Sequence, residues 1–392
     1  MSTVPLRATR SVPRAGWMVV AAKEFGDHLL SARFVVLVIM LGLAAAVPLY
    51  FITGQIREAA QGLEGYPALF LGLLWFAPTV GDQFQLPSVI GFVAIVGPLL
   101  GLAFSFDAVN GERAAGTLPR LLSQPIYRDD VVNGKFAAGL AVIGVVLLTV
   151  IGGIAAFGLI RLGIVPDATE IFRALLWVLI TFVYVSVWLA FGLLLSVVVR
   201  GAATSALIGF GVWLLLTFFG RLIVSLIGGV LAPQTVAGED LARNLATQAN
   251  LFRLLPDTLY REASLILLNP QSAAAATVTT PATVEGYEQA QERLTSLLSL
   301  DQSILLIWPQ MVALVVMMVA CFALAYVLFM RQEVRAYSLP TRSRTTLSGR
   351  CAPGERSSGP PFVVRRRRAC SVDDRNLSWS SGRQGEHLAA IS

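Results

Sequence analysis

The chain is poor in charge and poorest of all in lysine. Asp, Glu, Lys and Arg make up 14% of its 392 residues, against 55% hydrophobic residues and a mean hydropathy of +0.70. A surface so short of charge excludes a soluble domain of this size. Lysine occurs only as Lys23 and Lys135. The stretch "GERAAGT" has two glycines at the separation of a phosphate-binding loop, but Thr117 stands where such a loop needs lysine, and no strand precedes it. The chain therefore carries no nucleotide-hydrolysing loop, and no catalytic residue is assigned. His28 and His387 are too few and too far apart to form a site. Cys321, Cys351 and Cys370 have no metal-ligand spacing, so neither a metal centre nor a disulfide framework is expected.

What the chain does have is long apolar runs. Six reach the roughly 18 residues needed to cross about 30 Å of hydrocarbon: Phe34 to Ile52, Pro87 to Phe106, Phe136 to Ile160, Ala174 to Val199, Ala203 to Ala232 and Ile304 to Met330. None alternates in the manner of a barrel strand, so the expected fold is an all-α integral membrane protein with six transmembrane helices. The run Leu69 to Ala77 is too short to span and reads as interfacial or tucked against the bundle. The first span follows an acid-containing helical leader without a small-residue cleavage site, which makes it an anchor rather than a signal peptide.

Positive charge sets the orientation. Arg7, Arg10, Arg14, Lys23 and Arg33 precede the first span, and Arg113, Arg120, Arg128 and Lys135 lie between the second and third. The connection 233–303 is richer in acids. Both termini are therefore expected in the cytoplasm, in a multi-pass protein of the cell membrane. From Arg331 onward twelve Arg face five acids, so the basicity belongs to the tail. Rich in Arg, Ser, Gly and Pro, residues 331–392 are expected to be disordered and attracted to anionic lipid. The tail lacks interleaved aromatics, and no nucleic-acid partner is expected.

Residues 1–33 form a leader whose segment 17–33 places Met18, Ala21, Ala22, Phe25, Leu29 and Ala32 at helical spacing, with Lys23, Glu24 and Asp27 opposite. This predicts an amphipathic interfacial helix in which Lys23, Glu24 and Phe25 are the candidate site residues. Residues 34–330 form the six-span domain. Within it, 233–303 is expected to be a partly helical extracytoplasmic cap, with Pro256 interrupting the series Leu241, Leu245, Phe252, Leu255 and Leu259. Arg221 is the one charge inside an apolar run; the favoured reading ends the span near Phe219 and leaves Arg221 at the outer interface. Trp75, Trp177 and Trp308 read as interfacial anchors, and Met311, Met317, Met318 and Met330 as ordinary core or lipid-facing residues.

The segment "NGERAAGTLPRLLSQPIYRDDVVNGK", residues 110–135, is short, charged and broken by proline between two apolar runs. Arg113, Thr117, Arg120 and Gln124 share one helical face; Ala114, Leu118, Leu121 and Pro125 share another. The pattern predicts an extension of the second span ending near Gly116, then a short helix capped by Thr117 with Pro119 in its first turn. Pro125 ends that helix, Asp129 or Asp130 caps the third span, and Lys135 snorkels to headgroups.

At "GERAAGTL", "LLSQP" followed by Arg128, and "GK", the chain resembles the membrane subunits of ABC-2 type, or type V, ABC exporters. "AAKEFGDHLLSARF" and "LLNPQ" extend the resemblance over most of residues 17–336. It implies that the elbow, about 112–128, is a coupling helix docking on a separate cytoplasmic ATPase, which carries ATP and Mg, while this chain binds no cofactor. It also implies export, and a homodimer or a pairing with a closely related permease. Glu112, Arg113, Gly116, Thr117, Leu118, Pro125 and Arg128 fall on the family's pattern. Physically, Glu112 and Arg113 can fix a partner's orientation, Gly116 permits close approach, and Leu118, Leu121 and Leu122 supply apolar contact. The plainer alternative has Glu112 and Arg113 merely solvating a helix end. Rival functions are a membrane scaffold or maturation factor using the ATPase for mechanical work, and a secondary transporter; intramembrane carboxylates or inverted repeats, expected of the latter, are not evident in the sequence. Residues binding substrate are not identifiable from sequence.

Overall fold

A computed structural model describes residues 16–60, 69–81, 84–117, 127–163, 165–233, 239–269 and 300–332. The predicted coupling-helix residues Leu118, Leu121, Leu122 and Pro125, most of the leader's first half, and the Arg-rich tail lie outside these residues. The described fold is helical, apart from a two-stranded ribbon pairing β1 (Thr79–Val80) with β2 (Phe84–Gln85).

Among the described residues five helices are long and apolar enough to cross a membrane: Ala32–Ile56, Arg128–Leu162, Ala168–Val198, Ala202–Leu231 and Leu300–Arg331. The run Pro87 to Phe106 forms a shorter helix, Val89–Ala103, of 15 residues. At 1.5 Å per residue it extends about 22 Å. Ser88 caps its start, accepting from the Gly91 N–H at 3.2 Å, and its last turn unwinds through residues 104–109.

In chain order, α1 (Gly16–Leu29) turns at Leu30 and Ser31 into α2 (Ala32–Ala60); α3 (Leu69–Trp75) precedes the ribbon, and α4 (Val89–Ala103) leads to α5 (Asn110–Ala114). Then come α6 (Arg128–Leu162), α7 (Ala168–Val198), α8 (Ala202–Leu214) and α9 (Gly220–Leu231), the last two joined by a π turn at Leu215–Phe219. After them α10 (Glu239–Phe252), α11 (Pro256–Leu268) and α12 (Leu300–Arg331) complete the order.

The core is built around α7, which packs on α4, α6, α11 and α12. Small residues set the closest approach. A Cβ on Gly101 of α4 would lie 2.6 Å from the carbonyl oxygen of Val185, so the two backbones meet where only glycine fits. Tyr184 then donates from its hydroxyl to the Ala94 carbonyl at 2.8 Å, and the Trp213 indole N–H donates to Ile95 O at 2.9 Å. The short α3 is buried in the bundle through Phe70, Leu71, Leu73 and Leu74.

Several sequence expectations are corrected. Trp75 and Trp177 are packed inside the protein, and of the three tryptophans read as anchors Trp308 alone is exposed. The fifth apolar run does not break at Phe219; the π turn absorbs the irregularity and the helix continues to Leu231. Pro256 interrupts the series as expected, since α10 ends at Phe252 and Pro256 opens α11 as its first residue, which suits its missing N–H. Within the expected cap 233–303, α11 packs into the bundle: Leu259, Tyr260, Ala263 and Leu267 are buried between α4, α7 and α12. Asp129 and Asp130 do not cap α6. Tyr127 holds the cap position in extended conformation, and the two acids occupy the first turn, facing the positive end of the helix dipole.

Candidate functional site

Two polar clusters stand out among the described residues. The first gathers the ends of α1, α5, α6, α7 and α12 around the segment 110–135. It begins with a close approach: a Cβ on Gly134 would lie 2.7 Å from Val20 Cβ and 2.8 Å from the Trp17 carbonyl, so α1 lies directly against α6 there. One residue on, Lys135 is buried, its side chain 3% exposed, with Nζ 3.1 Å from Glu24 Oε1 and 2.8 Å from Glu112 Oε1. The expected snorkelling does not occur, because two carboxylates from two other helices offer the ammonium a better shell than headgroups could. A single buried cation thus ties α1 and α5 to α6. Lys23 adds a 3.1 Å contact to Glu24 and a 3.0 Å contact to Asp27. Burial alone would raise the Glu24 carboxyl, but Lys135 and Lys23 outweigh it and hold it below the ordinary carboxylate value.

Beside this triad, Arg113 makes a separate lock. Its Nη1 donates to Val197 O at 3.2 Å and its Nη2 donates to the Gln332 side-chain oxygen. Arg128 donates to the Gln332 backbone carbonyl at 3.1 Å, and the Gln332 amide donates to Val197 O at 2.9 Å. Two of these bonds satisfy the Val197 carbonyl, left open at the end of α7. Burial, with Arg200 nearby, lowers the Arg113 pKa. The Ser196 hydroxyl accepts from the Val109 and Asn110 N–H groups at 2.9 and 3.2 Å, pinning α5 to α7. Gly116 adopts φ +67°, a left-handed turn, and the Thr117 N–H closes that turn onto Glu112 O at 3.0 Å. Arg33 reaches Asp107 at 2.6 Å while lying over the Phe106 ring, and His28 packs edge-on to Phe104.

Of the sequence-assigned residues, the structure therefore brings together Glu24, Glu112, Arg113, Gly116, Thr117 and Arg128. Phe25 packs on the core from α1, and Lys23 is exposed beside Glu24. Lys135, Gln332 and Ser196 were not singled out as site residues. The rarity of lysine was the available signal for Lys135. For Gln332 and Ser196 there was none, because their roles depend on helix ends distant in sequence.

The second cluster lies where α10 and α11 turn back on each other. Asp257 approaches Arg221 Nε at 3.8 Å and Arg261 Nε at 3.6 Å. Arg253 pairs with Glu262 at 2.9 Å, and Gln310 of α12 donates to Glu262 at 3.3 Å. The partner of Arg221, the one charge inside an apolar run, thus comes from α11 and not from another span. Below the cluster the Tyr184 and Tyr260 rings stack at 4.5 Å. At the other end of α11, Arg173 donates to Leu267 O at 2.7 Å and to the Ser303 hydroxyl at 3.1 Å. An ionisable side chain at the centre of a bilayer costs about 2.5–3.5 kcal/mol on insertion scales, so such groups mark polar surroundings. Among the described residues no cluster of His, Cys, Asp and Glu could hold a metal ion.

The sequence matches the ABC-2 family transporter protein family over residues 18–334. It is similar to the probable ABC transporter permease protein NosY of Stutzerimonas stutzeri, 26% identical over 189 residues that cover 43% of this chain and 67% of that protein. The protein of the same name from Pseudomonas aeruginosa is 29% identical over 136 residues, 31% of this chain and 47% of that protein. The family match runs from α1 through α12 and takes in both polar clusters. The chain belongs to the ABC-2 family of transporter proteins.

Proposed function

We propose that this chain is the permease subunit of an ATP-driven exporter, with both termini in the cytoplasm and the short helix α4 completing a sixth span. ATP and Mg bind a separate ATPase, which docks on the elbow about 112–128, and a second permease copy completes the pathway. Family membership and the name of the relatives support the permease reading. The observation that carries the coupling is the anchoring of the elbow at both ends. Glu112 and Arg113 on one side, and Arg128 on the other, are bonded to α6, α7 and the end of α12, and through Lys135 to Glu24 of α1. A push on the elbow is thereby delivered to four helices together. Docking itself falls to Leu118, Leu121 and Leu122, which supply apolar contact.

The test is co-purification from native membranes. Wild type should bring down an ATP-hydrolysing protein, and a Leu121→Asp, Leu122→Asp double variant at equal expression should lose it. If wild type captures no ATPase, the proposal fails.

A further inference from the structure

The turn between α10 and α11 carries charge deep into the molecule. Tyr260 accepts from the Thr181 hydroxyl at 3.3 Å and stacks on Tyr184, and both partners lie near the middle of the 31-residue α7. Leu267, at the far end of α11, meets Arg173 near the start of α7. The helix therefore descends from one end of the bundle toward its mid-depth, and Asp257 sits at the deep end. Arg221 reaches the same level, since Leu255 packs on Gly220. Yet Arg221 and Arg253 are each 42% exposed. Charged side chains open to the outside at that depth do not face lipid tails; this face meets water or a second permease copy.

The charges there do not balance. Arg253 is matched by Glu262 at 2.9 Å, the distance of a closed charge-assisted hydrogen bond. Arg221 and Arg261 share the single carboxylate of Asp257 and approach it loosely, through Nε at 3.8 and 3.6 Å. The guanidinium forks are thus largely unspent: Arg261 extends one Nη to Gly91 O at 3.5 Å, and no acceptor within hydrogen-bond distance meets Arg221 among the described residues. One turn before Arg221, Phe218 and Phe219 are exposed, as is Leu222 after it. Two guanidinium groups with one loose counter-ion, bordered by exposed aromatic rings, suit an oxyanion carried on an apolar body.

We infer that Arg221 and Arg261 bind the carboxylate, phosphate or sulfonate group of an organic anion moved by this permease, with Asp257 the internal counter-ion that the solute displaces. The inference rests on the transport reading and names its substrate class. The mid-depth position selects a solute over a phospholipid, whose phosphate stays at the bilayer surface.

The test uses the full chain in phosphatidylcholine nanodiscs without ATPase, with naphthalene sulfonate as probe and neutral naphthalene sulfonamide as control. Saturable binding is expected for the sulfonate alone. Losing one fork of a charge-assisted contact should weaken it by about tenfold or more in Arg221→Gln, with Arg221→Lys intermediate. Arg253→Gln should leave it unchanged. Asp257→Asn should tighten it, because the competitor is gone. Absence of saturable binding, equal affinity in Arg221→Gln, or weakening in Asp257→Asn would each overturn the inference, the last by making the trio a structural lock. Thermal unfolding of each variant checks its fold, and the Asp257→Asn arm stands if Arg221→Gln does not assemble. ATPase co-purification with Arg221→Gln should match wild type, so failure of this site is separable from failure of the coupling proposal.

Discussion

At the scale of single residues, Lys135 is the side chain on which most depends. Replacing it by Met strands the Glu24 and Glu112 carboxylates in a buried site. Breaking a buried ion pair from one side costs about 3–5 kcal/mol, so Lys135→Met should lower the thermal unfolding midpoint sharply. Adding Glu24→Gln and Glu112→Gln should recover most of the loss; no recovery would mean that the lysine acts through its packing instead. The same cluster gives a pH dependence with a definite sign. Glu24 is held below its ordinary value of 4.5, so its ion pairs stabilise the fold fully above that pH and are lost as pH falls through the folded value. His28 is also lowered, from 6.5, first by burial and then by Lys135, against the opposing pull of Glu24, Asp107 and Asp27. Protonating it works against docking, so attachment of α1 should begin to weaken below pH 6.5 and weaken further below 4.5. Hydrogen-exchange protection of residues 17–28, referred to the intrinsic exchange rate at each pH, should fall between pH 7 and 4, and unchanged protection would contradict it.

At the scale of elements, α1 is attached mainly along α6, with far fewer contacts to the α2 that follows it. Gly134 makes that attachment possible. Gly134→Val should therefore displace α1, raising exchange in residues 17–28 while leaving α7 protected; unchanged exchange would show that α1 accommodates the side chain. The hairpin of α10 and α11 shows the converse. Its partner α9 is largely uncovered, yet α11 is among the most buried helices of the fold. An amphipathic pattern in the sequence reports that a helix has one apolar face, and not whether lipid, solvent or the rest of the chain will cover it.

At the scale of the whole molecule, the C-terminal boundary is set by Gln332. Truncation after Ala336 keeps the residue that holds Arg113 and Arg128, and should leave membrane insertion and thermal stability unchanged. Truncation after Arg331 removes it and should lower stability measurably, because the Val197 carbonyl and two guanidinium groups lose partners together. Equal behaviour of the two truncations in a detergent thermostability assay would deny Gln332 that role. The α8 and α9 surface is the least covered of the five long apolar helices, leaving it to lipid or to a partner copy.

The sequence by itself determined the class of molecule. Low charge, long apolar runs and the motif order "GERAAGTL" to "LLNPQ" were enough for a helical ABC-2 membrane protein, because bilayer thickness and backbone hydrogen bonding leave few alternatives. The helical α1, the elbow's flanking charges and the packed position open to α3 were legible from local pattern. Only the tertiary structure decided what those charges touch. Lys135 reads as a headgroup ligand and Arg221 as an interfacial charge because their partners, Glu24 and Glu112 for one and Asp257 for the other, lie on helices distant in sequence. Helix periodicity specifies which residues share a face; which helix meets that face depends on close approaches such as Gly134 on Val20 and Gly101 on Val185, set by the packing of the whole chain.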